Sequence, residues 1–117
     1  MIHVASTTDM PRGSARRLQL TPPVSVFHTD EGEFYAIDDT CTHQDASLAD
    51  GWLEGCQIEC PLHAALFDLR TGEADGIVAR KPVRTHRVLV DGEAVYLQLD
   101  ATHPAAVVAG TAVDVAV

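Results

Sequence analysis

The chain has 117 residues, 46% of them hydrophobic and 21% charged, with a formal net charge of −9. That length suits one core and is too short for two ordinary domains. The negative surplus argues against a sequence-independent nucleic-acid binder or an anionic-membrane binder, both of which need positive charge, and no apolar run approaches the length that crosses a bilayer.

In chain order, short β-branched and aromatic segments recur between turn signals: Ile2 to Ser6, Arg16 to Leu20, Val24 to His28 and Glu33 to Ile37. None carries a long helical period, so an all-β domain is expected. Thr29-Asp30-Glu31-Gly32 reads as the turn of a hairpin joining the last two. Arg16-Arg17 superficially resembles an export signal, but no uninterrupted apolar stretch follows, and the pair reads as surface residues of a strand. Near the C-terminus Arg87 to Val90, Asp91-Gly92 and Ala94 to Leu99 form the strongest hairpin signal, since Asp-Gly suits the positive φ of a tight primed turn.

Between the hairpins lies an insert, about residues 38–81, rich in Gly, Asp and Pro, with only short apolar pieces such as Gln57-Ile58-Glu59-Cys60 and Ala65 to Leu69. A loop-rich insert of that length is usually functional or metal-stapled. The division expected is a domain over 1–100 and an Ala/Val-rich tail over 101–117, lacking turn chemistry and either an edge strand or loose. Charge is unevenly spread: from Asp30 to Asp75 twelve acids face one base, Arg70, for a net −11. That is either a solvated loop surface or an acidic face that steers a basic partner.

The insert holds Cys41-Thr42-His43 and Cys60-Pro61-Leu62-His63, with sixteen residues between the two clusters. Thiolate and imidazole are the soft-to-borderline ligands of transition metals, and four of them in two short arms make a complete ligand set. Structural zinc usually pairs two cysteines on one knuckle, and a one-residue gap is tight for two ligands of a single ion. Each arm here offers one sulfur and one nitrogen, a pattern that fits two adjacent irons, Cys41 and Cys60 on one, His43 and His63 on the other. A single zinc stays as the alternative.

These residues, C-x-H followed by C-x-x-H with the literal strings CTH and CPLH, resemble the Rieske [2Fe-2S] family, and the likeness covers most of Glu33 to Leu99. The resemblance implies a Rieske fold: an antiparallel sandwich or barrel-like base with a small loop-rich subdomain that binds the cluster. It implies one [2Fe-2S] cluster per chain on Cys41, His43, Cys60 and His63, with the amides of Gln44, His63, Ala64 and Ala65 as candidate donors to its sulfurs. Two thiolates and two neutral imidazoles leave the oxidised cluster formally neutral, so adding an electron costs less than with four thiolates.

High-potential members of the family resemble CTHxGC and CPCHGSxY, whose extra cysteines form a disulfide and whose Ser and Tyr donate to sulfur. Here Ala46, Leu62, Ala65 and Phe67 stand at those positions. A potential near the low end of the Rieske range, about −150 mV rather than about +300 mV, is expected.

The remaining residues get structural readings. Cys56 reads as a small buried hydrophobe, and His3, His28, His86 and His103 as surface or strand histidines. Trp52 and Leu53 are expected to pack, with a cover over the cluster or a docking spot as the alternatives. Gly51, Gly55 and Gly72 read as turn glycines. The function the resemblance implies is a Rieske-type ferredoxin with no catalytic site of its own. It would carry single electrons from an NAD(P)H-dependent flavin reductase to the terminal oxygenase of an aromatic ring-hydroxylating dioxygenase, as a cytoplasmic monomer without nucleic acid or membrane. A small subunit of a nitrite-reductase-like enzyme and a zinc-binding interaction module are the competing readings.

Overall fold

In the computed structural model, residues 1–41, 46–61, 65–75 and 81–106 are described below. β1 (Ile2–Ser6), β2 (Ala15–Leu18), β3 (Val24–His28), β4 (Phe34–Asp38), β9 (Thr85–Asp91) and β10 (Ala94–Gln98) form an antiparallel sheet in the order β1-β10-β9-β4-β3-β2. Nearly closed and barrel-like, it carries a second antiparallel sheet of β5 (Trp52–Glu54), β6 (Gln57–Glu59), β7 (Leu66–Asp68) and β8 (Ala74–Asp75). Among the described residues there is no α-helix, only single 3-10 turns at Thr7–Asp9 and Leu48–Asp50. The all-β expectation holds.

Strand β3 shows how one sequence sorts two cores. Val24, Ser25, Val26 and Phe27 are all fully buried, which needs packing on both faces of the strand. Because side chains alternate with period two, Val24 and Val26 join Ala36, Val95 and Leu97 inside the base. Phe27 points the other way, with Ile37 of β4, into a core shared with the small sheet: Ile58, Phe67, Leu69 and Val83. The β3–β4 wall thus joins the small sheet to the base, each large side chain so buried contributing about 1.5–3 kcal/mol.

The first hairpin is closed by Thr29, whose amide donates to Glu33 O at 2.7 Å and whose Oγ1 accepts the Glu33 amide at 3.0 Å. In the second, Asp91 pairs with Ala94, so the turn residues are Gly92-Glu93, one later than Asp91-Gly92. Gly92 holds φ +61° and takes the first central position, which leaves Asp91 in the ladder.

Other differences have local causes. β2 ends at Leu18, because the Leu20 amide turns back to Leu18 O at 2.8 Å instead of joining the ladder. The small sheet replaces what reads in sequence as loop with apolar pieces. Past β10 there is turn chemistry after all: the Thr102 amide donates to Asp100 Oδ2 at 3.0 Å and the His103 amide to Asp100 O at 2.9 Å. His103 is neither on the surface nor on a strand, but buried, its Nε2–H donating to Pro22 O at 2.8 Å. The question of an edge strand in the tail falls on residues 107–117, outside the described residues.

Candidate metal centre

Each cysteine of interest opens a loop shut by the same bond. The Cys41 amide donates to Ala46 O at 2.9 Å, and the Cys60 amide to Ala65 O at 2.7 Å, five residues on in both cases. Both cysteines are buried, Cys41 at 3% and Cys60 at 0% exposure, in one apolar cluster with Ala46, Leu48, Ala65 and Phe67. The expected ligands His43 and His63 lie outside the described residues, as do Gln44 and Ala64.

The loops are fastened from below. Asp39, two residues before Cys41 and 1% exposed, accepts at Oδ1 from Ser25 Oγ on β3, from Ser47 Oγ at 2.9 Å and from the Ala49 amide at 3.0 Å. Its Oδ2 has no hydrogen bond, only the guanidinium of Arg17, with Nε at 3.2 Å. Arg17 is exposed on β2 as the sequence implies, but it is also the counter-charge of a buried carboxylate. Next to it, Asp38 pairs with His86 Nε2 at 2.8 Å and Arg84 Nε at 3.4 Å. Neither acid stands out in the sequence, because the partners that give each its role lie far from it in the chain.

Around the second loop, Gly51 has an ordinary φ of −83°, so turn geometry does not require glycine there. Close approach does, since a Cβ would stand 1.9 Å from Glu59 O on β6, next to Cys60. Gly72 needs both, with φ +79° and a Cβ that would meet Val83 O at 2.1 Å. On β7, hydrogen bonding from Arg70 holds the Asp68 carboxyl below its usual range. At Tyr35, which packs against the same core, burial and then Glu33 push the phenol up.

The donor chemistry fits a two-cysteine, two-histidine site. Of the six histidines, three have ring nitrogens committed elsewhere. His28 Nδ1–H donates to Met10 O at 2.6 Å. His86 Nδ1 accepts the Asp100 amide at 2.9 Å while its Nε2–H donates to Asp38, and His103 Nδ1 likewise accepts the Ala105 amide at 3.0 Å. His3 sits edge-on to Tyr96 on the outer strand β1. Among the described residues no three metal-donor side chains converge. The buried thiols of Cys41 and Cys60 are the metal-donor side chains of the expected set that the described residues include.

The model of the Rieske [2Fe-2S] domain matches residues 1–87. The chain belongs to the Rieske [2Fe-2S] family. It is 42% identical over 97 residues to the 3-phenylpropionate/cinnamic acid dioxygenase ferredoxin subunit of Photorhabdus laumondii, covering 82% of this chain and 91% of that one. Among solved structures it resembles a chain of the complex of reduced oxygenase and oxidized ferredoxin in carbazole 1,9a-dioxygenase, with TM-score 0.76, 36% identity and coverage of 82% and 99%. The ferredoxin of carbazole 1,9a-dioxygenase from Nocardioides aromaticivorans IC177 superposes with TM-score 0.78 at 30% identity, covering 85% and 97%.

A Rieske [2Fe-2S] cluster, when bound, takes up and gives back one electron. The protein's own part is to keep water from the thiols and to set how many donors reach them. Ala65 and Phe67, at the positions of the hydroxyl donors in high-potential relatives, are both buried and apolar. Cys56 supplies no bridge: it is half-buried in the β5–β6 turn rather than buried, and neither it nor Cys60 is in a disulfide. Trp52, expected to pack, is instead 61% exposed, because β5 turns Leu53 inward and Trp52 and Glu54 outward. Among the described residues no helix is long and apolar enough to cross a membrane.

Proposed function

We propose that this protein is the electron carrier of an aromatic ring-hydroxylating dioxygenase system, a Rieske-type ferredoxin. It accepts single electrons from an NAD(P)H-dependent flavin reductase and delivers them to a terminal oxygenase. The observation that carries this reading is the 42% identity to a dioxygenase ferredoxin subunit across 91% of that relative's length. Twin loops that open on the buried Cys41 and Cys60 give it a physical basis. In this reading Cys41 and Cys60 bind one iron, and His43 and His63 the other.

Catalytic side chains have no part in it. Outer-sphere transfer needs a close approach of partners and little rearrangement around the metal, which the buried Asp39 and the glycine contacts of Gly51 and Gly72 serve by holding both loops to the sheets. The protein is a monomeric cytoplasmic carrier in this reading, with a potential of about −150 mV, a value that the apolar side chains of Ala65 and Phe67 support.

The test is reconstitution. Mixed with a flavin reductase and NADH, the protein bleaches in the visible; mixed then with an oxidised terminal oxygenase, it regains its colour in one electron per chain. A protein that neither partner reduces or reoxidises is not this carrier.

A further inference from the structure

The small sheet has two faces with opposite chemistry. Leu53, Ile58, Phe67 and Ala74 sit opposite one another across its four strands and face the core. By alternation the neighbouring rows face out. In one, Trp52 pairs with Glu59 and Glu59 with Leu66; in the other, Glu54 pairs with Gln57 and Gln57 with Asp68.

That outer face is an apolar pair set among carboxylates. Trp52 stands 61% exposed on the edge strand, with half-buried Leu66 two strands away. The other exposed large apolar residues among the described ones are Met1 at the N-terminus and Val90 beside the β9–β10 turn, so neither belongs to this sheet. Arg70 is held by Asp68, Nη2 to Oδ2 at 3.1 Å, whereas among the described residues neither Glu54 nor Glu59 has an ion-pair partner. The row ends at the metal loop: Glu59 directly precedes Cys60, and Leu66 directly follows Ala65, whose carbonyl closes that loop.

We propose that this face, with Trp52 as its apolar anchor, is where the terminal oxygenase docks, through an apolar recess that receives the indole and a basic rim that meets Glu54 and Glu59. The inference rests on the carrier reading above. An exposed tryptophan ringed by polar groups is the usual form of a binding hot spot. Uncompensated carboxylates select a basic partner and speed its encounter. A side patch of this kind also lets one partner gain affinity that the other does not share, since both must reach the same loops.

The experiment is stopped-flow reoxidation of the chemically reduced holoprotein by a terminal oxygenase, over a range of oxygenase concentrations and of salt. Trp52→Ala is expected to raise the half-saturating concentration about tenfold or more, with the limiting rate, the visible spectrum and reduction by the reductase unchanged. Trp52→Phe should recover most of that loss. The pair Glu54→Gln with Glu59→Gln should slow the second-order rate and flatten its dependence on salt. The proposal is overturned if Trp52→Ala shifts half-saturation less than about twofold, or weakens the reductase equally. It is also overturned if the parent sediments as a dimer that Trp52→Ala dissolves, because a second copy then covers the face. If the parent protein cannot reduce the oxygenase at all, the carrier reading goes with it.

Discussion

Arg17 on an edge strand reaches the buried carboxylate of Asp39, Nε to Oδ2 at 3.2 Å, and so ties the outermost strand of the base to the residue that anchors the Cys41 loop. Arg17 is 44% exposed and Asp39 1%, which makes the two ends unequal. Asp39→Ala removes the acceptor of Ser25, Ser47 and the Ala49 amide together, and should cost about 2–4 kcal/mol in chemical denaturation, with iron lost on purification. Arg17→Met leaves the carboxylate buried with its remaining donors and should cost less, about 1–3 kcal/mol.

The glycines separate steric need from turn need. Gly51→Ala drives a Cβ to 1.9 Å from a backbone oxygen that cannot swing away, and should destabilise by about 2–3 kcal/mol or prevent iron uptake. Gly55 has φ +59° with open space around it, so Gly55→Ala should cost only the left-handed penalty, about 1–2 kcal/mol. Thermal melts of the two holoproteins, with iron content, check the order.

Much of the base was legible in the sequence. Ala94 to Leu99 alternates so that strand and inward face follow from period two, whereas Val24 to His28 reads as a strand from its β-branched and aromatic residues but does not show that both its faces are buried. The small sheet was not, since three-residue strands such as Trp52–Glu54 and Gln57–Glu59 place one side chain inward each and give a period nothing to repeat. The two cysteine loops drew notice in the sequence because the spacing of Cys41, His43, Cys60 and His63 is that of a metal-ligand set, and the fold buries both cysteines. Asp39 did not, because its partners come from residues 17, 25, 47 and 49, and only the folded chain collects them. Trp52 and His103 were misjudged for the same reason, exposure of an aromatic and burial of an imidazole being properties of neighbours rather than of the residue.

Acid stability should carry a small contribution from Asp68. The carboxyl is held below the ordinary aspartate value of 3.8, first by the side-chain hydrogen bond from Arg70. A depressed carboxylate adds stability that is fully present above the unfolded value and is lost as pH falls through the folded one. Because Arg70 is 58% exposed, solvent screens the pair and the gain is small. Arg70→Ala should lower the urea midpoint slightly at pH 7 and not at all once pH is well below 3.8; an equal loss at both pH values would assign Arg70 a packing role instead.

If His43 is a ligand through neutral imidazole, His43→Cys exchanges it for a thiolate and adds negative charge at the metal. The midpoint potential should then move from the Rieske range, about −150 to +300 mV, toward the about −400 mV of plant-type ferredoxins. Protein-film voltammetry reads it directly. An unchanged potential in a variant that keeps its iron would remove His43 from the ligand set.

The most direct test of the whole account is metal and sulfide analysis of anaerobically purified protein, joined to nitrogen-sensitive pulsed EPR of the reduced state. The account predicts two irons and two acid-labile sulfides per chain, with two histidine nitrogens coupled to the reduced centre. One zinc without labile sulfide, or an iron centre that couples to no nitrogen, would contradict it.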